Sequence, residues 1–115
     1  MPLEERFITF NIEEVYQAVR MRCIRENLPQ PVEGTPVRIE MAEQAVPEHV
    51  LINIHVKKTE DSAPEKVPFE RTFFAMALVF FCQGSGIPLP AKGKKTLNIQ
   101  PDKIIMKIEL LSKGS

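Results

Sequence analysis

Residues 73–82 read FFAMALVFFC, an unbroken apolar run that holds four of the chain's seven phenylalanines. A membrane-spanning helix needs about 20 apolar residues, whereas a run of about 10 to 14 is more typical of a buried helix. A buried strand usually spans only about 4 to 8 residues, and alanine, methionine and leucine favour helix. The run therefore predicts a buried helix over residues 69–83 rather than a membrane span.

The predicted helix is apolar on nearly every face, so the rest of the fold has to cover it. Each fully buried Phe, Leu, Val or Met side chain is worth about 1.5 to 3 kcal/mol, which makes exposure of several of them costly. A sheet covers only one side of a helix. We therefore expect a core helix whose other sides contact the first helix, the segment 87–90 or, alternatively, a second subunit.

Length and composition indicate one globular domain. The chain has 115 residues, of which 43% are hydrophobic and 26% are charged, and these values are ordinary for a domain with its own core. We expect a single domain over residues 1–115, with residues 112–115 as a frayed tail. No internal repeat is expected from the sequence.

The formal net charge is zero, which argues against strong nonspecific attraction to nucleic acid or to anionic membranes. The charges are unevenly distributed along the chain. Residues 1–57 carry six basic and nine acidic side chains, whereas residues 58–115 carry nine basic and six acidic ones. This asymmetry favours docking of one half on the other or head-to-tail self-association.

The two cysteines indicate a reducing compartment. Cys23 and Cys82 each fall within an apolar helical pattern, which is typical of buried free thiols. The N-terminus begins with acidic residues and lacks the basic segment and apolar core of a signal peptide. We therefore expect a cytoplasmic protein.

A strand and a first helix are predicted near the N-terminus. Residues 6–10 are rich in aromatic and β-branched side chains, as in a strand. Asn11 and Glu14 have the spacing of a capping box, and apolar residues at helical spacing continue to Cys23. Pro29 ends the predicted helix.

Apolar and polar residues alternate over residues 37–41 and 50–56, which predicts two neighbouring antiparallel strands. In the first of these strands, Val37, Ile39 and Met41 are expected on the buried face. The charged residues 58–66 then predict a mobile loop that leads to the apolar helix.

The last third of the chain predicts a hairpin. Residues 96–99 and 104–110 read as strands, and Pro101 between them suits the second position of a type I turn. The resulting order is βαββαββ. We therefore predict an α+β domain in which two helices pack on a mostly antiparallel sheet.

No metal site or catalytic constellation is evident. His49 and His55 are expected on one face of a strand, but a metal site needs three or four converging ligands, and no cysteine or acidic residue is spaced to complete one. Both cysteines are expected to be buried, away from the polar setting that an activated thiol needs. We predict solvent-facing histidines, no cofactor, and a protein that is not an enzyme.

Residues 84–95 form an alternative candidate site for a small anion. Ser85 and the glycine-containing backbone offer hydrogen-bond donors, and Lys92, Lys94 and Lys95 offer positive charge. The competing interpretation is a charged loop that keeps an exposed hairpin soluble. Under the alternative, the protein is a small-anion-binding domain or a minor enzyme that acts at this segment.

Weak contact of the same lysines with nucleic acid is a second alternative. The βαββαβ part of the predicted order is shared with RNA-recognition domains, which stack bases on aromatic side chains of a central strand. The predicted strand over residues 50–56 contains no aromatic residue. Binding through such a platform is therefore not expected.

The leading hypothesis is a small, non-enzymatic binding or protein-interaction domain that forms a homodimer. It rests on the apolar helix, on alternating strands with free edges, and on the lack of a catalytic constellation in the sequence. The partners consistent with these features are a second copy of the chain, another protein or an anionic ligand.

Overall fold

The computed structural model describes residues 3–31, 33–42, 50–89 and 93–111. The predicted α+β class, with two helices and antiparallel strands, is confirmed, and the order βαββαββ is found with one added strand before the second helix. The predicted frayed tail, residues 112–115, lies outside the described residues. The elements are β1 (Leu3–Asn11), α1 (Ile12–Arg25), β2 (Thr35–Met41), β3 (Leu51–Lys57), β4 (Glu65–Glu70), α2 (Arg71–Gly84), β5 (Lys94–Gln100) and β6 (Lys103–Leu111).

The strands form two three-stranded sheets, in the orders β1-β6-β5 and β2-β3-β4, and all neighbouring strands are antiparallel. The two sheets meet where β2 approaches the β5–β6 hairpin, and the Ile39 N–H donates to the Pro101 carbonyl over 2.9 Å. A bulge interrupts β2 between Pro36 and Arg38. Prolines and bulges interrupt the hydrogen bonds between strands and are therefore found mainly in edge strands. Strand β2 is accordingly an edge strand, and the single predicted sheet is divided in two.

The added strand, β4, occupies the end of the predicted charged loop. Its residues pair with β3, with Val67 opposite Ile54 and Phe69 opposite Ile52. Val67 and Phe69 are half-buried whereas Lys66 and Pro68 are exposed, an alternation that the charges obscure in the sequence. Helix α2 consequently begins at Arg71 rather than at residue 69.

The core is formed by one face of each helix and by the inner faces of the strands. Ile52, Ile54 and Val56 of β3 are buried as predicted, but Asn53, on the face expected to meet water, is buried as well. Strand β2 does not follow its predicted alternation, because Val37 and Met41 are exposed and only Ile39 of that predicted set is buried. The bulge turns Val37 outward, and Met41 lies at the end of an edge strand. The buried apolar side chains are Phe10, Val15, Tyr16, Ala18, Val19, Cys23, Ile39, Ile52, Ile54, Val56, Phe74, Ala77, Leu78, Cys82, Leu97, Ile104, Met106 and Ile108.

Helix α2 is covered by several neighbours. It packs against α1, β3 and β4, and Ile87 and Leu89, in the segment that follows it, pack against the same core. Met76 remains 46% exposed on its outer side. No helix within the described residues is long and apolar enough to cross a membrane.

The two halves of the chain repeat the order βαββ, and a shift of 59 positions relates their helices and the strands β2 and β5, whereas β3 and β6 begin 52 positions apart. Both helices have 14 residues, and the shift that carries Ile12 onto Arg71 also carries β2 onto β5 residue for residue. Each helix follows the preceding strand without a loop. The expectation that the chain contains no internal repeat is therefore wrong.

Few residues are identical between the halves, and most of the identities fall at structural landmarks. Paired cysteines and alanines are fully buried in the two helices, and the paired glycines lie close against the neighbouring strand. The two halves are equivalent in burial and turn geometry rather than in residue identity, so their relationship becomes visible only once the bounds of the helices and strands are known. The identical pairs are Phe10/Phe69, Ala18/Ala77, Cys23/Cys82, Pro29/Pro88, Pro31/Pro90, Gly34/Gly93 and Leu51/Leu110.

The halves exchange their first strands. Strand β1 pairs with β6 of the second half, and β4 pairs with β3 of the first half. Neither half therefore holds a complete sheet of its own, and the chain topology is unchanged when the two halves are interchanged. The helices of the two halves pack against each other where the halves meet.

Both helices end in the same turn. Asn27 and Gly86 adopt positive φ values of 56° and 73°. In each turn the next residue donates its N–H to a carbonyl of the last helical turn. The Leu28 N–H donates to the Cys23 carbonyl over 2.8 Å, and the Ile87 N–H donates to the Cys82 carbonyl over 2.9 Å. This is the Schellman arrangement, in which glycine or asparagine tolerates the left-handed conformation. The predicted capping box of Asn11 with Glu14 at the start of α1 is confirmed.

Candidate interaction groove

A groove of about 540 Å³ lies between the two helices on the side away from the core. Its floor contains the buried Ala77. Its walls are apolar for most of their surface, and its polar groups are two arginines and one glutamine. The lining residues are Met21, Arg22, Ile24, Arg25, Ala77, Phe80, Phe81, Gln83 and Gly84.

The groove forms between equivalent stretches of the repeat. The shift of 59 positions pairs each of the four lining residues of α1 with a lining residue of α2. The halves differ in chemistry at these positions, because α1 contributes basic and aliphatic side chains whereas α2 contributes aromatic and uncharged residues. The equivalent pairs are Met21/Phe80, Arg22/Phe81, Ile24/Gln83 and Arg25/Gly84.

Two arginines pack on the aromatic wall. The guanidinium carbon of Arg25 lies 4.3 Å from the centre of the Phe80 ring, and that of Arg22 lies 4.9 Å from the same centre and 6.0 Å from that of Phe73. Such cation–π contacts contribute about 0.5 to 1 kcal/mol at exposed sites. Arg22 also forms an ion pair with Glu26 over 3.0 Å. The contacts hold positive charge at the rim of an apolar surface.

The α1 wall exposes large apolar side chains. Met21 and Ile24, which line the groove together, are 53% and 61% exposed. Single exposed apolar residues are common on proteins, but a contiguous group bordered by polar residues is typical of a binding surface. The arrangement is suited to accept apolar side chains from a partner.

The groove continues along α1 as two smaller cavities. One of about 280 Å³ is lined by Gln17, Arg20, Met21 and Ile24, and shares the last two with the groove. The next, of about 240 Å³, shares Gln17 and Arg20 with it and ends beside Gly34 and Thr35. The three concavities therefore lie next to one another along the exposed side of α1.

Ser85, a predicted anion ligand, is exposed at the C-terminal end of α2. Its N–H donates to the Phe81 carbonyl over 3.0 Å, and the N–H of Ile87 is used in the same turn. The C-terminal end of a helix is its negative pole. The local backbone is therefore arranged to attract cations more than anions.

The predicted lysines of this segment do not point the same way. Lys94 and Lys95 occupy successive positions of β5, and successive side chains of a strand lie on opposite faces. Lys94 is exposed and Lys95 is half-buried, whereas Lys92 lies outside the described residues. The anion-binding and nucleic-acid hypotheses stay predictions.

His55 lies on β3 and is hydrogen-bonded to Glu40 of β2, with 2.8 Å between Nε2 and Oε1. Sequence spacing could not reveal this partner, because the two residues meet only through strand pairing. Among the described residues, no three His, Cys, Asp or Glu side chains are grouped as a metal site would require. His49 lies outside the described residues.

The hydrogen bond from His55 lowers the pKa of Glu40, and the charges of Arg38 and Lys66 act in the same direction, while partial desolvation opposes them. Because this pKa is lower in the folded chain than in the unfolded one, ionised Glu40 stabilises the fold at pH values above its unfolded pKa of about 4.3. The contribution is lost as the pH falls through the folded pKa.

Replacing Glu40 with glutamine is therefore expected to lower the free energy of unfolding at neutral pH, and the difference from wild type should shrink on acidification below about pH 4.3. Urea titrations across that range measure the difference. Glu4→Gln, which removes an exposed carboxylate of β1, serves as the control. A Glu40→Gln deficit that does not change with pH would contradict this assignment.

Both cysteines are buried free thiols, as predicted. Burial raises the pKa of the Cys23 and Cys82 thiols, and Glu14 raises that of Cys82 further. Since the thiolate is the reactive form, neither residue is poised as a nucleophile.

We expect both thiols to resist a disulfide exchange reagent such as 5,5′-dithiobis(2-nitrobenzoate) in the folded protein, because they are inaccessible and protonated. Unfolding in guanidinium chloride should make both react. Release of thionitrobenzoate, followed by absorbance, counts the reactive thiols in each state. Fast reaction of one thiol in the folded protein would show that its helix opens readily.

Residue patterns did not predict the groove. Phe80 belongs to the apolar run that was expected to be buried, and no prediction was made for Met21 or Ile24. A usable signal is present, however, because Met21 and Ile24 fall outside the buried stripe of α1. Two apolar residues on the wet side of an amphipathic helix indicate a second apolar contact.

Comparison with known proteins identifies no matching family model, no similar curated protein and no similar solved structure.

Proposed function

We propose that this protein is a non-enzymatic protein-interaction domain and that the groove between α1 and α2 is its binding surface. The observation that carries the proposal is the exposure of Met21 and Ile24 beside the aromatic wall formed by Phe80. Burial of such side chains against a partner is favourable by about 25 cal/mol for each Å² removed from water. Aromatic, methionine and arginine side chains are also enriched in interface cores.

The experiment is a titration of the ¹⁵N-labelled protein with an uncharged amphipathic peptide whose leucines follow helical spacing. We expect amide shifts to change at the groove and to disappear in Ile24→Glu, because the new carboxylate lies where an apolar side chain would be buried. Phe7→Glu is the matched control, since Phe7 on β1 is also 61% exposed. Equal loss of binding in the control, or no shift changes at the groove, would refute the proposal.

Self-association is a second candidate function. It is favoured by the apolar surface that Met21, Ile24, Leu28 and Met76 expose on one helix layer, since homodimer interfaces are more apolar than other interfaces. Light scattering after size-exclusion chromatography at tens of micromolar should then give a dimer mass for wild type and a monomer mass for Ile24→Glu. A strictly monomeric wild type would exclude this candidate.

A further inference from the structure

We infer that the partner of the groove is an acidic amphipathic segment of another protein, which lies along α1 and inserts apolar side chains next to Phe80. This inference rests on the proposed function, because it identifies the partner of the same surface. It follows from two independent properties of that surface, its shape and its charge.

The shape favours a chain over a compact ligand. The three concavities are neighbours, since the first two share Met21 and Ile24 as lining residues and the last two share Gln17 and Arg20. They follow the exposed side of α1 from its C-terminal turns back to Glu13. An extended or helical segment could place successive apolar side chains along them, as in helix-in-groove recognition, whereas a small molecule would fill only one part.

The charge favours acidic residues in that segment. Among the described lining residues of the three concavities, Arg20, Arg22 and Arg25 stand against one acidic residue, Glu13. In the described part of the chain, Arg22 is paired with Glu26, whereas neither Arg20 nor Arg25 forms an ion pair. Arg20 donates from Nη2 to the Gln30 Oε1 over 3.2 Å, and Arg25 lies over the Phe80 ring. Both guanidinium groups are held in place without an acidic partner among the described residues, and groups in such positions are suited to pair with carboxylates.

The same charges disfavour a second copy in the groove. In a two-fold symmetric contact the same patch occurs on both subunits, so a contact centred on the groove would bring the arginines of both copies together. Like charges placed across an interface are costly. A flat bilayer surface matches the charge but cannot reach into a concave groove. An acidic polypeptide satisfies both properties.

The test uses three synthetic peptides of about 16 residues that share leucines at helical spacing and one tryptophan, with glutamate, lysine or glutamine at their other positions. The protein contains no tryptophan, so peptide emission reports binding directly. We expect the glutamate peptide to bind at least ten times more tightly than the lysine peptide, with an affinity that falls as salt is added.

Charge variants show which arginine produces the preference for the glutamate peptide. Arg25→Glu should reverse the order of the two charged peptides, and Arg25→Gln should reduce the preference without reversing it. Arg6→Glu, at an exposed arginine of β1, should leave the preference unchanged. Circular dichroism confirms that each variant is folded before its affinity is compared.

Equal affinity for all three peptides, lost in Ile24→Glu, would refute the acidic partner and leave the proposed function standing. Binding of none of them would refute both. A wild-type dimer that Ile24→Glu dissociates would assign the groove to a second copy. Tighter binding of vesicles containing phosphatidylglycerol, or of dodecanoate, than of the glutamate peptide would likewise overturn the inference and identify a lipid ligand.

Discussion

Replacing Phe74 with alanine is expected to lower the free energy of unfolding by about 3 to 5 kcal/mol, the range found for large-to-small substitutions of buried aromatic residues. Phe74 is fully buried in α2, and its ring meets that of Phe69 edge to face, with 5.8 Å between the ring centres. The substitution leaves a cavity between α2 and β4 and removes this aromatic pair. Urea unfolding followed by circular dichroism measures the loss.

Met76→Ala provides the matched control on the same helix. Met76 is two residues away and largely exposed, and surface substitutions usually change stability by no more than about 0.5 kcal/mol. A typical domain is stable by about 5 to 15 kcal/mol, so the Phe74 variant of a weakly stable chain could be largely unfolded at 37 °C. Equal stabilities of the two variants would show that α2 is not packed as described.

Replacing Gly34 with alanine is also expected to lower the free energy of unfolding strongly, through backbone overlap rather than through a cavity. A Cβ atom at Gly34 would lie 2.0 Å from the carbonyl oxygen of Lys57 and 2.8 Å from its carbonyl carbon. Both belong to the backbone of β3, so no side-chain rotation can relieve the overlap. The Gly34 N–H also donates to the Tyr16 hydroxyl over 3.2 Å, which fixes the position of the turn.

Overpacking typically costs about 1 to 3 kcal/mol and sometimes more, and we expect Gly34→Ala to reach or exceed the upper part of that range. Gly84→Ala is the control, because nothing lies within 4 Å of a Cβ atom at that position in the last turn of α2. Since alanine favours helix over glycine by up to about 1 kcal/mol, this control should be neutral or stabilising. A Gly34→Ala variant as stable as wild type would contradict the close approach of β3.

Local signals in the sequence predicted the elements that are specified within a few residues. The capping box of Asn11 with Glu14 places the start of α1, and the hairpin around Pro101 was predicted from its turn chemistry and is confirmed by the pairing of Gln100 with Lys103. The apolar run placed α2 to within two residues at each end. In each case the physical cause lies in the residues that form the element.

Features that depend on distant residues were not predicted. Strand β4 is charged and carries Pro68, and it becomes a strand because β3 offers it hydrogen bonds and an apolar face. The partnership of His55 with Glu40 arises in the same way from the register of β2 on β3. Val37 and Met41 alternate correctly but are exposed, because a bulge and an edge position decide their burial.

The sequence by itself determined that residues 73–82 form a helix that packs on the core of an α+β domain, because ten apolar side chains between charged and glycine-containing flanks have no other favourable place in a chain of this size. The expected cover on nearly every face of this helix is wrong, since Met76 is exposed and Phe80 lines the groove. Only the tertiary structure decided that the halves exchange their first strands and that α1 and α2 leave a groove between equivalent positions. The type of a side chain predicts its burial only on average. Which face of a helix stays open depends on its neighbours, and these are brought together by strand pairing between residues far apart in the chain.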